Sequence, residues 1–550
     1  MGLRRHLQLA IALSFLSFLS LQEAAAAAVL HSPSSTSINA GGFLHPLPAF
    51  PNHTYLDRSF FPDGFIFGTL TLAIKHEGAS AGKVDSIWDS YARQEGTVLD
   101  GTLPGNVGDQ YARYEEDIEA MASMGMDAFR FSLAWTRILP ERSGTPSTEA
   151  ISHYNDLINK LIDRGISPHV TLWAEDHPQA LEDAYGGLLS PYFIDDFTAY
   201  ANVCFAAFGD RVKYWITFDE PNDYVALAYA STQSPPGRCT PGNGIYGNCT
   251  IGNSSTEPYL VAHNILVAHS VVAKLYKATY KDAQGGSIGM ALWFKWYEPL
   301  NASDASDLEA SKRAHDFYFG WFMDPLVTGE YPQTMRSMVG PRLPIFTEEE
   351  ARDLRNSLDF VGINAVTAMY VTNRTVEEET FNDGYYSDMR VISTPYRAGE
   401  IIGEGDAEHS VPWCFERIVN YLREYYGNPQ MYITETGWGI DNTASFQEAL
   451  NDTERVEYFF SYYATLSDVI RSGGNVKGVF AWSLIDGFEF FLGLKTRFGL
   501  LYVDEDMARY PRLSAYWFQQ LLTSNPTYSP FGLLSENKEQ SQNLLSMDSL

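Results

Sequence analysis

Basic side chains are scarce: 38 Lys and Arg stand against 68 Asp and Glu in 550 residues, a formal net charge of −30. Such a charge repels phosphate backbones and anionic lipid, and no basic stripe interrupts it, which argues against nucleic acid as a partner. Cysteine is scarcer still. Four residues are too few for a disulfide scaffold, and they lack the paired spacing of a metal site, so no metal is expected. No organic cofactor motif occurs, and no cofactor is expected. No apolar run reaches the ~20 residues of a membrane span. Between residues 58 and 525 there is no linker, repeat or low-complexity stretch, so this part reads as one domain.

Aromatic residues make up 14% and charged residues 19%, the balance of a large globular enzyme rather than a disordered chain. The N-terminus reads Arg4-Arg5-His6, an apolar run from Leu7 to Leu21, then Gln22-Glu23 and Ala24 to Ala28. That is the layout of a signal peptide over residues 1–28; at about fifteen residues its apolar core is short for a membrane anchor. Sequons at Asn52, Asn248, Asn253, Asn301, Asn373 and Asn451 agree with secretion, to the cell wall or the vacuole. Cys239 and Cys249 bracket a loop short enough to close as a disulfide, whereas Cys204 and Cys414 read as buried thiols. Residues 29–57 read as a disordered lead-in and 526–550 as a polar tail. The C-terminal Met547-Asp548-Ser549-Leu550 matches no retention signal.

Eight β-rich runs recur with helical stretches between them: 65–73, 127–135, 168–174, 212–218, 287–293, 360–367, 431–434 and 476–484. Intervening segments at 114–124, 154–164 and 192–208 show apolar spacing near three and four. Strand then helix, eight times, predicts an α/β fold, a single-domain (β/α)8 TIM barrel, whose chemistry sits where strands end. The fourth run ends Thr217-Phe218-Asp219-Glu220-Pro221-Asn222, and the seventh ends Tyr432-Ile433-Thr434-Glu435-Thr436-Gly437. Strands four and seven lie nearly across a barrel. Glu220 and Glu435 are therefore expected to reach one small-molecule substrate from opposite walls, one as proton donor and the other as nucleophile. A lone strand-end glutamate more often caps a helix or pairs with arginine; the flanking residues reverse that balance for this pair.

From about Phe61 to Pro511 the chain resembles the family 1 glycoside hydrolases, the retaining β-glucosidases of plants. The likeness rests on Phe61 to Thr69 (FPDGFIFGT), Phe129 to Trp135 (FRFSLAW), Pro178 to Asp183 (PQALED), Tyr432 to Gly437 (YITETG) and Trp482 to Glu489 (WSLIDGFE). The resemblance implies that Glu435 is the nucleophile, that Glu220 serves as acid then base, and that Arg130 keeps Glu435 ionised. It implies that Glu489 holds sugar hydroxyls and that Trp482 stacks on the ring. It also implies the Cys239–Cys249 pairing.

Around that centre the sequence departs from the family's pattern. Lys75 stands where Gln is expected, Ala174 and Glu175 where a His-Trp pair is expected, and Asp219 where Asn precedes the acid/base. Thr436 follows the nucleophile in place of Asn, the stretch Asn364-Ala365-Val366 lacks an aromatic at Val366, and Phe490 follows Glu489 in place of Trp. These replacements lose hydroxyl contacts, and unmatched buried polar groups cost ~1–3 kcal/mol each, so the substrate is expected to be atypical. Lys75, Glu175 and Asp219 are expected to form one compensating charge cluster that tunes Glu220. His76 and His177 are expected to pack or cap. A β-glucosidase-type hydrolase acting on a specialised plant metabolite is the first reading. A diverged enzyme on a non-sugar compound, similar to the plant hydroxyisourate hydrolases, is the second, and a catalytically inactive binding barrel the last.

Overall fold

The structure, a computed structural model, describes residues 37–38, 44–45, 50, 54–78, 82–142, 144–242, 249–365, 367–374, 384–404 and 409–523. The expected signal segment, the polar tail, Asn52, Asn248 and Val366 lie outside them.

Eight parallel strands close into a barrel: β1 (Ile66–Thr71), β2 (Ala128–Ser132), β3 (Ser167–Trp173), β4 (Tyr214–Asp219), β5 (Ser287–Trp293), β6 (Phe360–Asn364), β7 (Met431–Thr436) and β8 (Val476–Ala481). Each pairs with its sequence neighbours, and β8 closes on β1 through Val479↔Phe67 and Phe480↔Gly68. Every run named from the sequence overlaps one strand: the runs 65–73, 127–135, 360–367 and 476–484 continue into the following loop, whereas the strands at Tyr214–Asp219 and Met431–Thr436 extend past the ends of their runs. The reason they form strands is burial on both faces, which calls for near-continuous apolar and β-branched runs. In β8, Phe480 fills the lumen with Leu70, Ile216, Phe360 and Tyr432, while Val479 and Ala481 face the helical layer. The lumen is thus a packed floor beneath the mouth.

The helices behind the strands include Gln110–Met124, Thr148–Asp163 and Tyr192–Phe208. The first two begin earlier than their apolar spacing shows, since polar first turns carry no periodic signal. The second starts where the Ser147 side chain caps the Ala150 amide. Not foreseen at all was a three-stranded sheet outside the barrel, in which Ala368–Asn373 lies between Trp296–Pro299 and Val391–Thr394. Its strands are half exposed and short, so they lack the continuous apolar run that marks the barrel strands.

Part of the expected lead-in is built into the domain. Thr54 and Leu56 are buried, and Trp517 Nε1 donates to the Thr54 carbonyl at 2.9 Å. Two short strands, Ser37–Ile38 and Leu44–His45, also pair antiparallel there. Cys239 and Cys249 are bonded, with Cα atoms 5.5 Å apart, and Cys204 and Cys414 are buried and free. Asn253, Asn301 and Asn451 are exposed, whereas Asn373 is half-buried and accepts from Arg313 at 2.7 Å.

The loop after β8 carries Trp482 and Glu489, and a buried charge network pins it. Asp486 accepts from Arg512 at 2.8 and 3.0 Å, from Arg497 at 3.1 Å, and from the amides of Gly499 and Val503 at 2.9 and 3.1 Å. Burial pushes this carboxyl up, but the Arg512 and Arg497 guanidinium groups outweigh it and hold it below the usual range. Asp486→Asn leaves Arg512 buried without its counter-charge, and a broken buried pair costs about 3–5 kcal/mol. The denaturation midpoint of that variant is expected to fall accordingly; a midpoint equal to wild type would show that the network does not hold the loop.

Candidate active site

Both glutamates owe their aim to irregular strand ends. In β4 the register runs from Ile216↔Gly289 to Asp219↔Ala291, three residues against two. In β7 it runs from Ile433↔Ile363 to Glu435↔Asn364, two against one. A bulge of this kind re-aims the side chains that follow. Glu220 then adopts a left-handed backbone, φ +50°, while its amide donates to the Ala291 carbonyl at 2.9 Å. Gly437 lets the end of β7 pass the next loop: a Cβ there would lie 2.3 Å from the Trp482 carbonyl oxygen.

Asn364, at the end of β6, joins the pair. Its carbonyl oxygen accepts from Thr434 Oγ1 at 2.7 Å, which turns the amide nitrogen toward the carboxyls. That nitrogen lies 2.7 Å from Glu220 Oε1, 3.1 Å from Asp219 Oδ1 and 3.4 Å from Glu435 Oε2. The Glu220 and Glu435 oxygens that contact it can be no farther apart than the sum of those two distances, so both carboxyls face one small site. The carboxyls of Glu220 and Glu435 are partly accessible, whereas Asp219 and Asn364 are buried.

Arg130 is fully buried on β2 and takes a different principal partner from the one expected. Its Nη2 lies 2.5 Å from Asp219 Oδ1, its Nη1 3.9 Å from Glu435 Oε2, and it donates to the Thr434 carbonyl at 3.0 Å and to Thr171 Oγ1 at 3.1 Å. Arg130 favours the ionised form of Glu435 as expected, but from 3.9 Å and as the lesser of two cations. Burial and then Asp219 raise Glu435, and Lys75 and Arg130 offset them only in part. Glu220 is raised well above the ordinary range by burial, by Glu435 and by Asp219. Lys75 and Arg130 both lower Glu435, whereas no cation is among the main groups that shift Glu220, so of the two Glu435 is the readier to ionise and Glu220 the one that keeps its proton.

The expected cluster of Lys75, Glu175 and Asp219 forms only in part: Asp219 raises Glu220 and Lys75 pulls on Glu175, but the ion pairs are Lys75–Glu489 and Arg130–Asp219. Lys75, on the short helix Ala73–His76 after β1, donates to Glu489 Oε2 at 2.9 Å and lies 4.4 Å from the ring centre of Trp482 and 4.2 Å from that of Phe490. Burial works against the ammonium, but Glu489 and Glu435 hold it above its ordinary value. Burial also raises Glu489 against the pull of Lys75. The pair is ionic nonetheless, because a protonated Glu489 would leave the ammonium without its nearest counter-charge. Glu175 instead accepts from Trp88 Nε1 at 3.3 Å, and burial pushes it up to about 8, so at neutral pH it is largely uncharged.

Ala174 is buried in the lumen cluster beside Trp482, its methyl offering no polar contact. Phe490 stacks on Trp88 with ring centres 4.6 Å apart. Trp88 thus links two of the altered positions, and nothing in its spacing marked it. Thr436 turns away, its hydroxyl 2.8 Å from that of Tyr458. His76 packs edge-on against Trp482, and burial pushes it down to about 3, which keeps it neutral. His177 lies between Trp173 Nε1 at 3.2 Å and Glu182 at 3.3 Å. Among the described residues no group of three or more His, Cys, Asp or Glu is placed to hold a metal ion, and no helix is long and apolar enough to cross a membrane.

Comparison with known proteins points to one family. The chain is 46% identical over 481 residues to β-glucosidase 34 of Oryza sativa subsp. japonica, covering 86% of this chain and 94% of that one. It is 45% identical over 480 residues to a coniferin β-glucosidase of Pinus contorta, covering 85% and 93%. A solved rice β-glucosidase, a mutant in a covalent complex with Glc from GA4GE, superposes with a TM-score of 0.83 at 43% identity, covering 86% of this chain and all of that one. Residues 57–527 match the model of glycosyl hydrolase family 1. With that match spanning most of the sequence, the closed barrel behind it and β-glucosidases as relatives, this chain belongs to glycosyl hydrolase family 1 and is an O-glycosyl hydrolase of the β-glucosidase type.

Proposed function

We propose that the enzyme cleaves β-glycosides of specialised plant metabolites by double displacement. Glu435 attacks the anomeric carbon while Glu220 gives its proton to the departing aglycone oxygen, leaving a glycosyl ester on Glu435. Glu220, now a carboxylate, takes a proton from water as that water attacks the anomeric carbon and breaks its bond to the Glu435 oxygen, which frees the sugar and restores both groups. The observation that carries this reading is the Asn364 amide within 2.7 Å of one glutamate and 3.4 Å of the other. Covalent Glc on a rice relative and the coniferin substrate named for the pine relative support the adduct and the substrate class.

Asp219 enters as a positioning residue. As a carboxylate beside both glutamates it accepts where an Asn would donate, and it draws Arg130 toward itself. A non-sugar substrate is the competing reading; the observation in its favour is Lys75 lying over the Trp482 ring. We further propose passage through the secretory pathway to the cell wall or vacuole, on the N-terminal apolar segment, the Cys239–Cys249 bond and the exposed sequons at Asn253, Asn301 and Asn451.

Three measurements follow. Glu435→Ala is expected to lower kcat/KM on aryl β-glycosides by roughly a thousandfold or more; conversion of a non-glycosylated plant metabolite instead would overturn the glycosidase reading. Asp219→Asn tests the electrostatics through the pH profile of kcat/KM. Glu435 must be ionised and Glu220 protonated, and Asp219 raises both, so its neutralisation moves both limbs to lower pH; limbs that stay in place count against the role. Finally, protein purified from the plant is expected to shift in mass on deglycosylation, and an unshifted band would count against secretion.

A further inference from the structure

The seat expected for a sugar ring already holds a side chain. Lys75 Nζ lies between the rings of Trp482 and Phe490, 4.4 and 4.2 Å from their centres, and 2.9 Å from Glu489 Oε2. Two aromatic faces and a carboxylate each attract a cation, and together they define one position for it. The surroundings are fixed. Phe490 is stacked on Trp88, the Phe488 amide donates to the Lys75 carbonyl at 2.8 Å, and Trp482 is packed against the lumen cluster and His76. The ammonium therefore cannot swing aside without giving up a buried ion pair. Glu489 Oε1, by contrast, is buried and has no hydrogen-bond partner among the described residues, so one acceptor is open to a hydroxyl.

We propose that Lys75 is a built-in occupant of the sugar seat, a specificity-determining residue that keeps a neutral hexopyranose off the face of Trp482. The proposal rests on the two-glutamate reading above. Stacking brings ring carbons to ~3.5–4 Å of the indole, the space the ammonium fills. A hexose must therefore displace Lys75 from Glu489 or sit shifted along the cavity. Either way ring binding is weakened in the ground state and the transition state alike, which raises KM more than it lowers kcat. Productive substrates are then glycosides held chiefly by the aglycone, with the sugar contributing a hydroxyl to Glu489 Oε1.

The test compares wild type with Lys75→Gln, Lys75→Ser and Lys75→Arg on an aryl β-glucoside, and measures binding of free glucose to wild type by calorimetry. Lys75→Gln and Lys75→Ser, each compared at its own pH optimum, are expected to lower KM at least tenfold; losing the ammonium also raises Glu435, so the acidic limb of their kcat profile moves to higher pH. Lys75→Arg, which retains a cation for Glu489, leaves KM at or above the wild-type value. An unchanged or higher KM in both Lys75→Gln and Lys75→Ser overturns the proposal. So does wild-type glucose binding tighter than about 1 mM, a measurement that needs no variant. Adding Glu435→Ala to Lys75→Gln separates the two ideas: turnover that survives strikes the two-glutamate reading, whereas Glu435-dependent turnover with KM unmoved strikes only the role of Lys75.

Discussion

Five carboxyl groups, Glu175, Asp219, Glu220, Glu435 and Glu489, crowd the mouth of the barrel against two cations, Lys75 and Arg130. Charges this close and this dry cannot all be ionised, so the site settles by protonating some and pairing others. Arg130 pairs with Asp219, Lys75 pairs with Glu489, Glu175 is largely neutral, and the two catalytic glutamates share what remains. That division is what leaves one acid and one nucleophile across a narrow gap. The same division places an ammonium where a neutral ring would stack, so charge balance and substrate choice are one problem here.

The scaffold makes the crowding tolerable by holding each group from a different strand end. Bulges in β4 and β7 turn Glu220 and Glu435 inward, Thr434 orients the Asn364 amide between them, and the buried Asp486–Arg512 network anchors the loop that presents Trp482 and Glu489. None of these supports touches the reacting bond, yet each sets a distance on which the double displacement depends.

Much of the fold was legible because barrel strands, buried on both faces, must be apolar along their whole length. All eight runs were visible for that reason, and so was the placement of Glu220 and Glu435 at strand ends. The outer sheet at Trp296–Pro299 and Ala368–Asn373 was not, since half-exposed short strands leave a weak pattern. The packing of Thr54 and Leu56 was hidden too, in a stretch whose composition looked like a flexible lead-in.

By itself the sequence determined the barrel and the two strand-end glutamates, through periodicity and residue types at strand ends, while Arg130 and the list of altered positions came from the resemblance to the family. Only the tertiary structure decided who pairs with whom. Lys75 could have met Glu175 or Asp219 on charge alone; it meets Glu489 and two aromatic rings because the β1 and β8 loops bring those groups within 3 to 4.5 Å. Electrostatic partners are chosen by distance in a dry site, and distances between residues hundreds of positions apart are set by the folded chain.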